Sequence, residues 1–103
     1  MATLYISYFG KVHEGCAGMP LSCEAMTTST TSAQAAADIP AAAAVVALSS
    51  SADHYVTIGA VADSPVAGVG AKSFFLPANT MREIRLGTGH ESAATRVAAK
   101  SLT

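Results

Sequence analysis

The sequence predicts an all-β domain, a sandwich or small barrel, and three observations point to it. Six or seven short segments rich in apolar and β-branched residues recur between clusters of Gly, Pro, Ser and Asn. Several alternate or run continuously apolar over strand-like lengths. The 22 alanines, which favour helix by propensity, sit beside Pro40 and among Val, Ser and Thr without a 3.6-residue apolar stripe.

The elements follow in order. Residues 3–9, Thr-Leu-Tyr-Ile-Ser-Tyr-Phe, form a strand that ends at Gly10. Leu4, Ile6 and Tyr8 share one face, with Tyr5 and Phe9 on the other. Residues 11–20 read as loop, with Gly15, Gly18 and Pro20. Residues 21–31 form a strand running into a Thr/Ser tract, residues 27–32. The tract is a solvated edge or linker, or an extended arm that adds to a neighbouring subunit. Residues 27–40 make an extended connection or, with Ser32 as N-cap, one or two helical turns over 33–37 before Pro40. Residues 42–48 are apolar throughout and fit a buried strand; residues 54–60 alternate. Asp63, Ser64, Pro65, Gly68 and Gly70 mark a loop. Residues 72–76 and 81–86 flank the turn 77–80 and suggest a hairpin, with Arg82, Ile84 and Leu86 on one face and Glu83 and Arg85 on the other. After the turn 87–89, residues 95–102 give a closing strand.

A chain of 103 residues accommodates one domain, so residues 1–103 read as a single β-domain. Its core is thin. Only 21 residues are Leu, Ile, Val or Phe, and ordering the backbone costs on the order of 100–200 kcal/mol, so help from a partner surface or self-association is expected. The formal net charge is -1 and the six basic residues are scattered, which disfavours nucleic acid and anionic membranes as partners. No apolar run approaches the roughly 20 residues of a transmembrane helix, and the first residues lack a signal-peptide pattern.

Reactive constellations are incomplete. Cys16 and Cys23 have six residues between them, wider than the usual knuckle spacing, and His13 completes no ligand set with them, so reduced thiols are expected and no metal. His54 and His90 lack a nucleophile frame: there is no G-x-S-x-G, and Asp53 and His54 point to opposite faces of a strand. Gly68 and Gly70 miss phosphate-loop spacing, and Glu83 with Glu91 has no second signal to support a carboxylate pair. No catalytic residue and no cofactor is assigned.

One layout is familiar. It runs Ala44-Val45-Val46-Ala47-Leu48, Ala52-Asp53-His54-Tyr55-Val56-Thr57-Ile58-Gly59-Ala60, Ser64-Pro65-Val66-Ala67 and Phe75-Leu76-Pro77-Ala78-Asn79-Thr80. It resembles small virion structural proteins of tailed bacteriophages, over less than half the chain and in style rather than by a motif. The resemblance implies a capsid decoration (cement) protein with a jelly-roll-like or related β-sandwich fold. Such a protein is made in the host cytoplasm, binds the major capsid protein on the capsid surface and self-associates as a dimer or trimer. The expected assembly interface is Leu4, Tyr5, Ile6, Tyr8 and Phe9, the densest cluster of large side chains. A tail or head-fibre component is the neighbouring alternative. A peptide- or carbohydrate-binding module using Tyr5, Tyr8 and Tyr55 as a platform, or a small enzyme, would come from other classes.

Overall fold

The computed structural model describes residues 2–10, 20–61, 65–68, 73–86 and 94–102. The expected loop 11–19, the residues 62–64, 69–72 and 87–93, and with them His13, Cys16, His90 and Glu91, lie outside the described residues.

Among the described residues eight strands form: β1 (Ala2–Phe9), β2 (Pro20–Thr28), β3 (Ala33–Gln34), β4 (Val45–Ser50), β5 (His54–Ala60), β6 (Phe74–Leu76), β7 (Met81–Arg85) and β8 (Thr95–Ser101). They build two four-stranded sheets, ordered β2-β1-β4-β7 and β3-β8-β5-β6, with every pairing antiparallel. The all-β sandwich is therefore the fold. Most connections cross from one sheet to the other, so neighbours in sequence are often not neighbours in a ladder.

The two-residue period of the strands sorts the side chains. The first sheet turns Leu4, Ile6 and Tyr8 of β1, Met26 of β2, and Val46 and Leu48 of β4 inward. The second sheet answers with Val56 of β5, Leu76 of β6, and Val97 and Ala99 of β8. Alanine at 99 and valines elsewhere fill the space between the sheets with little bulk, so each of the few large side chains carries a large share of the core.

Two expectations are corrected. Residues 33–37 do not form the helical turns; of the two readings, the extended connection is what forms, and it is tied down. Ala33 and Gln34 pair with β8, the Ala35 N–H donates to the Val97 carbonyl and the Ile39 N–H to the Thr95 carbonyl, both at 2.8 Å. Those donors are taken by a neighbouring strand, which leaves no turn of helix to close. Ala35, Ile39 and Ala43 then plug one end of the core as the chain returns to β4. The second correction concerns the hairpin 72–86. β6 pairs with β5 in one sheet and β7 with β4 in the other. The turn at Ala78 and Asn79 thus carries the chain around the edge of the sandwich. Asn79 takes a φ of 58°, a left-handed conformation that asparagine tolerates better than most residues.

The outer face of the second sheet is covered in part by the described piece 65–68. The Ala67 N–H donates to Ser32 Oγ at 2.9 Å, Ala67 is buried, and Pro65 lies against Gly59 so closely that a Cβ there would stand 3.1 Å from the Pro65 Cβ. This explains why Thr57 and Ala98, on the outward side of their strands, are nevertheless buried.

Candidate functional site

Two places are candidates: a buried polar node around His54, and the outer surface and edges of the first sheet.

His54 opens β5 with its ring fully buried. Its Nδ1 lies 2.7 Å from the Ala52 carbonyl and its Nε2 2.6 Å from Thr28 Oγ1 on β2. A carbonyl can only accept, so Nδ1 carries the hydrogen, and in the neutral ring Nε2 accepts from the Thr28 hydroxyl, whose one hydrogen is shared with the Ala2 carbonyl at 3.2 Å. Ser50 Oγ donates to the same Ala52 carbonyl at 2.7 Å. The node therefore ties β2 of one sheet to β5 of the other through the turn 51–53. Asp53 faces away and receives the Ala78 N–H on Oδ1 at 2.8 Å. No carboxylate orients His54, and both its nitrogens are engaged with structural partners. The arrangement fastens strands and has no open face toward a substrate. Among the described residues no group of three or more His, Cys, Asp or Glu side chains is placed to hold a metal. Cys23 is a free, exposed thiol.

Tyr8 occupies the opposite end of the core. Its hydroxyl is buried without a hydrogen-bond partner. Burial first, and then the Glu24 carboxylate, push its pKa up to about 12, with the Arg96 guanidinium pulling the other way and Asp38 adding to the rise. Glu24 receives the Ala36 and Ala37 N–H groups at 2.7 and 3.3 Å, and Asp38 pairs with Arg96. The charges near Tyr8 are thus committed to holding the segment 35–39 in place.

The expected interface residues divide by face. Leu4, Ile6 and Tyr8 are buried in the chain's own core, so an outside partner meets only Tyr5 and Phe9 of the five. Tyr5 is 54% exposed and Phe9 half-buried. The ladder places Ala25, Tyr5, Ser49 and Met81 in one row across the outer face, with Met81 66% exposed. The next row is Cys23, Ser7, Ala47 and Glu83. Two large apolar side chains therefore stand on a floor of small ones. The signal for this was present in the alternation of residues 3–9; Met81 was missed because its row mates are distant in sequence.

The three tyrosines do not form one platform. Tyr8 is internal, while Tyr5 and Tyr55 belong to different sheets. Tyr55 instead meets Phe75 edge to face, with ring centroids 5.9 Å apart.

Comparison with protein-family models, with curated proteins and with solved structures finds no match to this chain. Among the described residues no helix is long and apolar enough to cross a membrane. The functional reading therefore rests on the chain's own surface.

Proposed function

We propose that this protein is a non-enzymatic assembly component of a bacteriophage virion, a decoration protein that binds the major capsid protein on the outer capsid surface and staples neighbouring subunits. The observation that supports this reading most is the outer face of the first sheet. Tyr5 and Met81 rise from a floor of Ala25, Ser7, Ala47 and Ser49, a shape suited to docking on another protein rather than to enclosing a small molecule. The polar groups that could suggest chemistry, His54 and Thr28, are buried and mutually satisfied. The resemblance in sequence style gives the partner its class.

Co-sedimentation of the purified chain with capsid shells assembled from the major capsid protein of the same genome tests the proposal. Saturable binding that is lost in Tyr5→Ser/Met81→Ser supports it. No binding to intact shells, or binding only to tails, overturns it. A second reading, a binding module, has one observation in its favour, the exposed Phe75 packed on the half-buried Tyr55 on the other sheet. Loss of shell binding in Phe75→Ser but not in Tyr5→Ser would move the interface there.

A further inference from the structure

The pairing of β3 with β8 starts in a regular antiparallel register and then breaks it. Ala33 faces Ala99, Gln34 faces Ala98, and the Ala35 N–H donates to the Val97 carbonyl in the same register. The next bond of that register would join Ala37 to Thr95, because hydrogen-bonded pairs recur at every second residue. Ile39 takes that place instead, its N–H donating to the Thr95 carbonyl at 2.8 Å. Between these two bonds the chain after β3 advances four positions while β8 advances two. Two extra residues are therefore looped out, a bulge of the kind that re-aims a side chain and ends a pairing. It does both here: Ile39 enters the core, and the regular edge strand stops at Gln34.

Residues 36–38 are exposed, so the bulge is held by polar contacts rather than by packing of its own side chains. The Ala36 and Ala37 N–H groups donate to the Glu24 carboxylate of β2 at 2.7 and 3.3 Å, and Asp38 pairs with Arg96 of β8. We infer that residues 33–44 are a two-register device with Glu24 as its latch. Latched, residues 36–38 loop out and Ile39 fills the core. Released, β3 runs regularly from Ala33 to Ala37, and the Ala37 N–H takes the Thr95 carbonyl. A slip of two residues keeps each side chain on its own face, whereas a slip of one would turn the strand inside out. Residues 33–37 are Ala-Gln-Ala-Ala-Ala, without proline or charge, so neither a missing donor nor a buried charge blocks the regular strand. The two residues of slack pass into the turn over 40–43, ahead of the Ala44 N–H bond to the Phe9 carbonyl.

Each register has contacts in its favour. The observed one buries Ile39 and gives Glu24 two N–H donors. It also leaves Tyr8 Oη and Thr95 Oγ1 buried without hydrogen-bond partners, and buried orphans mark a place where strain is stored. A released Glu24 carboxylate is an acceptor for the Tyr8 hydroxyl, whose pKa already answers to its charge. The slip thus exchanges one isoleucine in the core, and the two bonds to Glu24, for an unbroken ladder and a partner for Tyr8. Its consequence lies at the edge of the second sheet. Two residues and a bulge are a blunted edge, whereas five small uncharged residues are one to which another strand can add. The latch therefore sets whether the second sheet can be extended. The device goes beyond the capsid reading and does not rest on it.

Nuclear magnetic resonance of the isotope-labelled full chain reads the register directly. In the parent, backbone contacts are expected between Ile39 and Thr95, with slow hydrogen exchange at the Ile39 amide. Glu24→Ala/Ile39→Ala removes the latch and the core anchor together. In that variant the contacts are expected to move to Ala37 and Thr95. Exchange at the Ala37 amide should slow about tenfold or more, and exchange at residue 39 should quicken by as much. Contacts that stay between residue 39 and Thr95 overturn the device, and so does melting of residues 33–39 without a new contact from Ala37 to Thr95. Where the double variant does not fold, Glu24→Gln serves. It keeps the size of the side chain but weakens its hold on the two N–H groups, and should raise the second register about tenfold. Relaxation dispersion at residues 36–39 is then expected to be larger in Glu24→Gln than in the parent. Flat dispersion in both proteins overturns the device equally.

Discussion

A threonine hydroxyl 2.6 Å from a buried imidazole nitrogen shows how much one atom decides in this small core. Thr28→Val keeps the shape of the side chain but leaves His54 Nε2 facing a methyl group. A buried acceptor without a donor costs about 1–3 kcal/mol, so urea unfolding is expected to show a loss of that size. Tyr8 is the opposite case, since its hydroxyl already lacks a partner. Tyr8→Phe removes the orphan and keeps the ring, and is expected to be neutral or stabilising by up to about 1 kcal/mol. The raised pKa adds a pH signature with a definite sign. In the unfolded chain the phenol ionises near pH 10, but in the folded chain only near 12. The stability it contributes is fully present below pH 10 and is lost as pH rises toward 12, about 1.4 kcal/mol per pH unit across that window. Urea midpoints measured from pH 8 to 12 should fall more steeply for the parent than for Tyr8→Phe. Parallel curves would remove this account of Tyr8.

At the scale of elements, the informative feature is the crossing between β6 and β7. Residues 72–86 carry the sequence pattern of a hairpin, but the turn at Asn79 hands the chain to the other sheet. Several contacts hold that corner. The Asn79 N–H donates to the Ser50 carbonyl at 2.9 Å, Asp53 receives the Ala78 N–H, and the Arg82 guanidinium lies 4.8 Å from the centre of the Phe74 ring. The corner depends on a left-handed residue, so Asn79→Gly should be tolerated. Asn79→Val forces a β-branched side chain into that conformation and is expected to cost about 1–3 kcal/mol, read as a lowered melting temperature. Equal stability of the valine variant would mean that the turn has other geometry available. Gly59 makes a similar point in the second sheet, where the approach of Pro65 leaves a new Cβ at 3.1 Å.

For the whole molecule, the balance lies between a thin core and a large exposed sheet. Leu48 is fully buried between the sheets, and Leu48→Ala is expected to cost about 2–5 kcal/mol, a large part of the roughly 5–15 kcal/mol available to a small domain. Tyr5→Ser/Phe9→Ser acts on the outward side of the same strand, so it is expected to weaken self-association or shell binding while shifting the melting temperature far less than Leu48→Ala. Paired thermal-melt and sedimentation measurements on the two variants check this. If both variants lose the fold alike, Tyr5 and Phe9 belong to the core's support rather than to its surface.

Strand content was legible in the chain because side-chain alternation and turn chemistry are local properties. Residues 54–60 appear as β5 without a shift, and residues 3–9 as β1 with one residue added. The same alternation put Leu4, Ile6 and Tyr8 on one side and Tyr5 and Phe9 on the other. It could not say which side a second sheet would cover, because that depends on where β5 and β8 pass. Partners of strands were not legible for the same reason: the β1–β4 and β5–β8 ladders join residues 35 or more positions apart. Residues 33–37 look mobile in isolation, and the Val97 carbonyl of β8 and the Glu24 carboxylate give the Ala35, Ala36 and Ala37 N–H groups an ordered place. Sequence by itself determined which short stretches are extended and how their faces divide. Tertiary structure decided which face is core, which turn crosses between sheets and which edge is left open, because those outcomes arise from contacts between strands that no local pattern encodes.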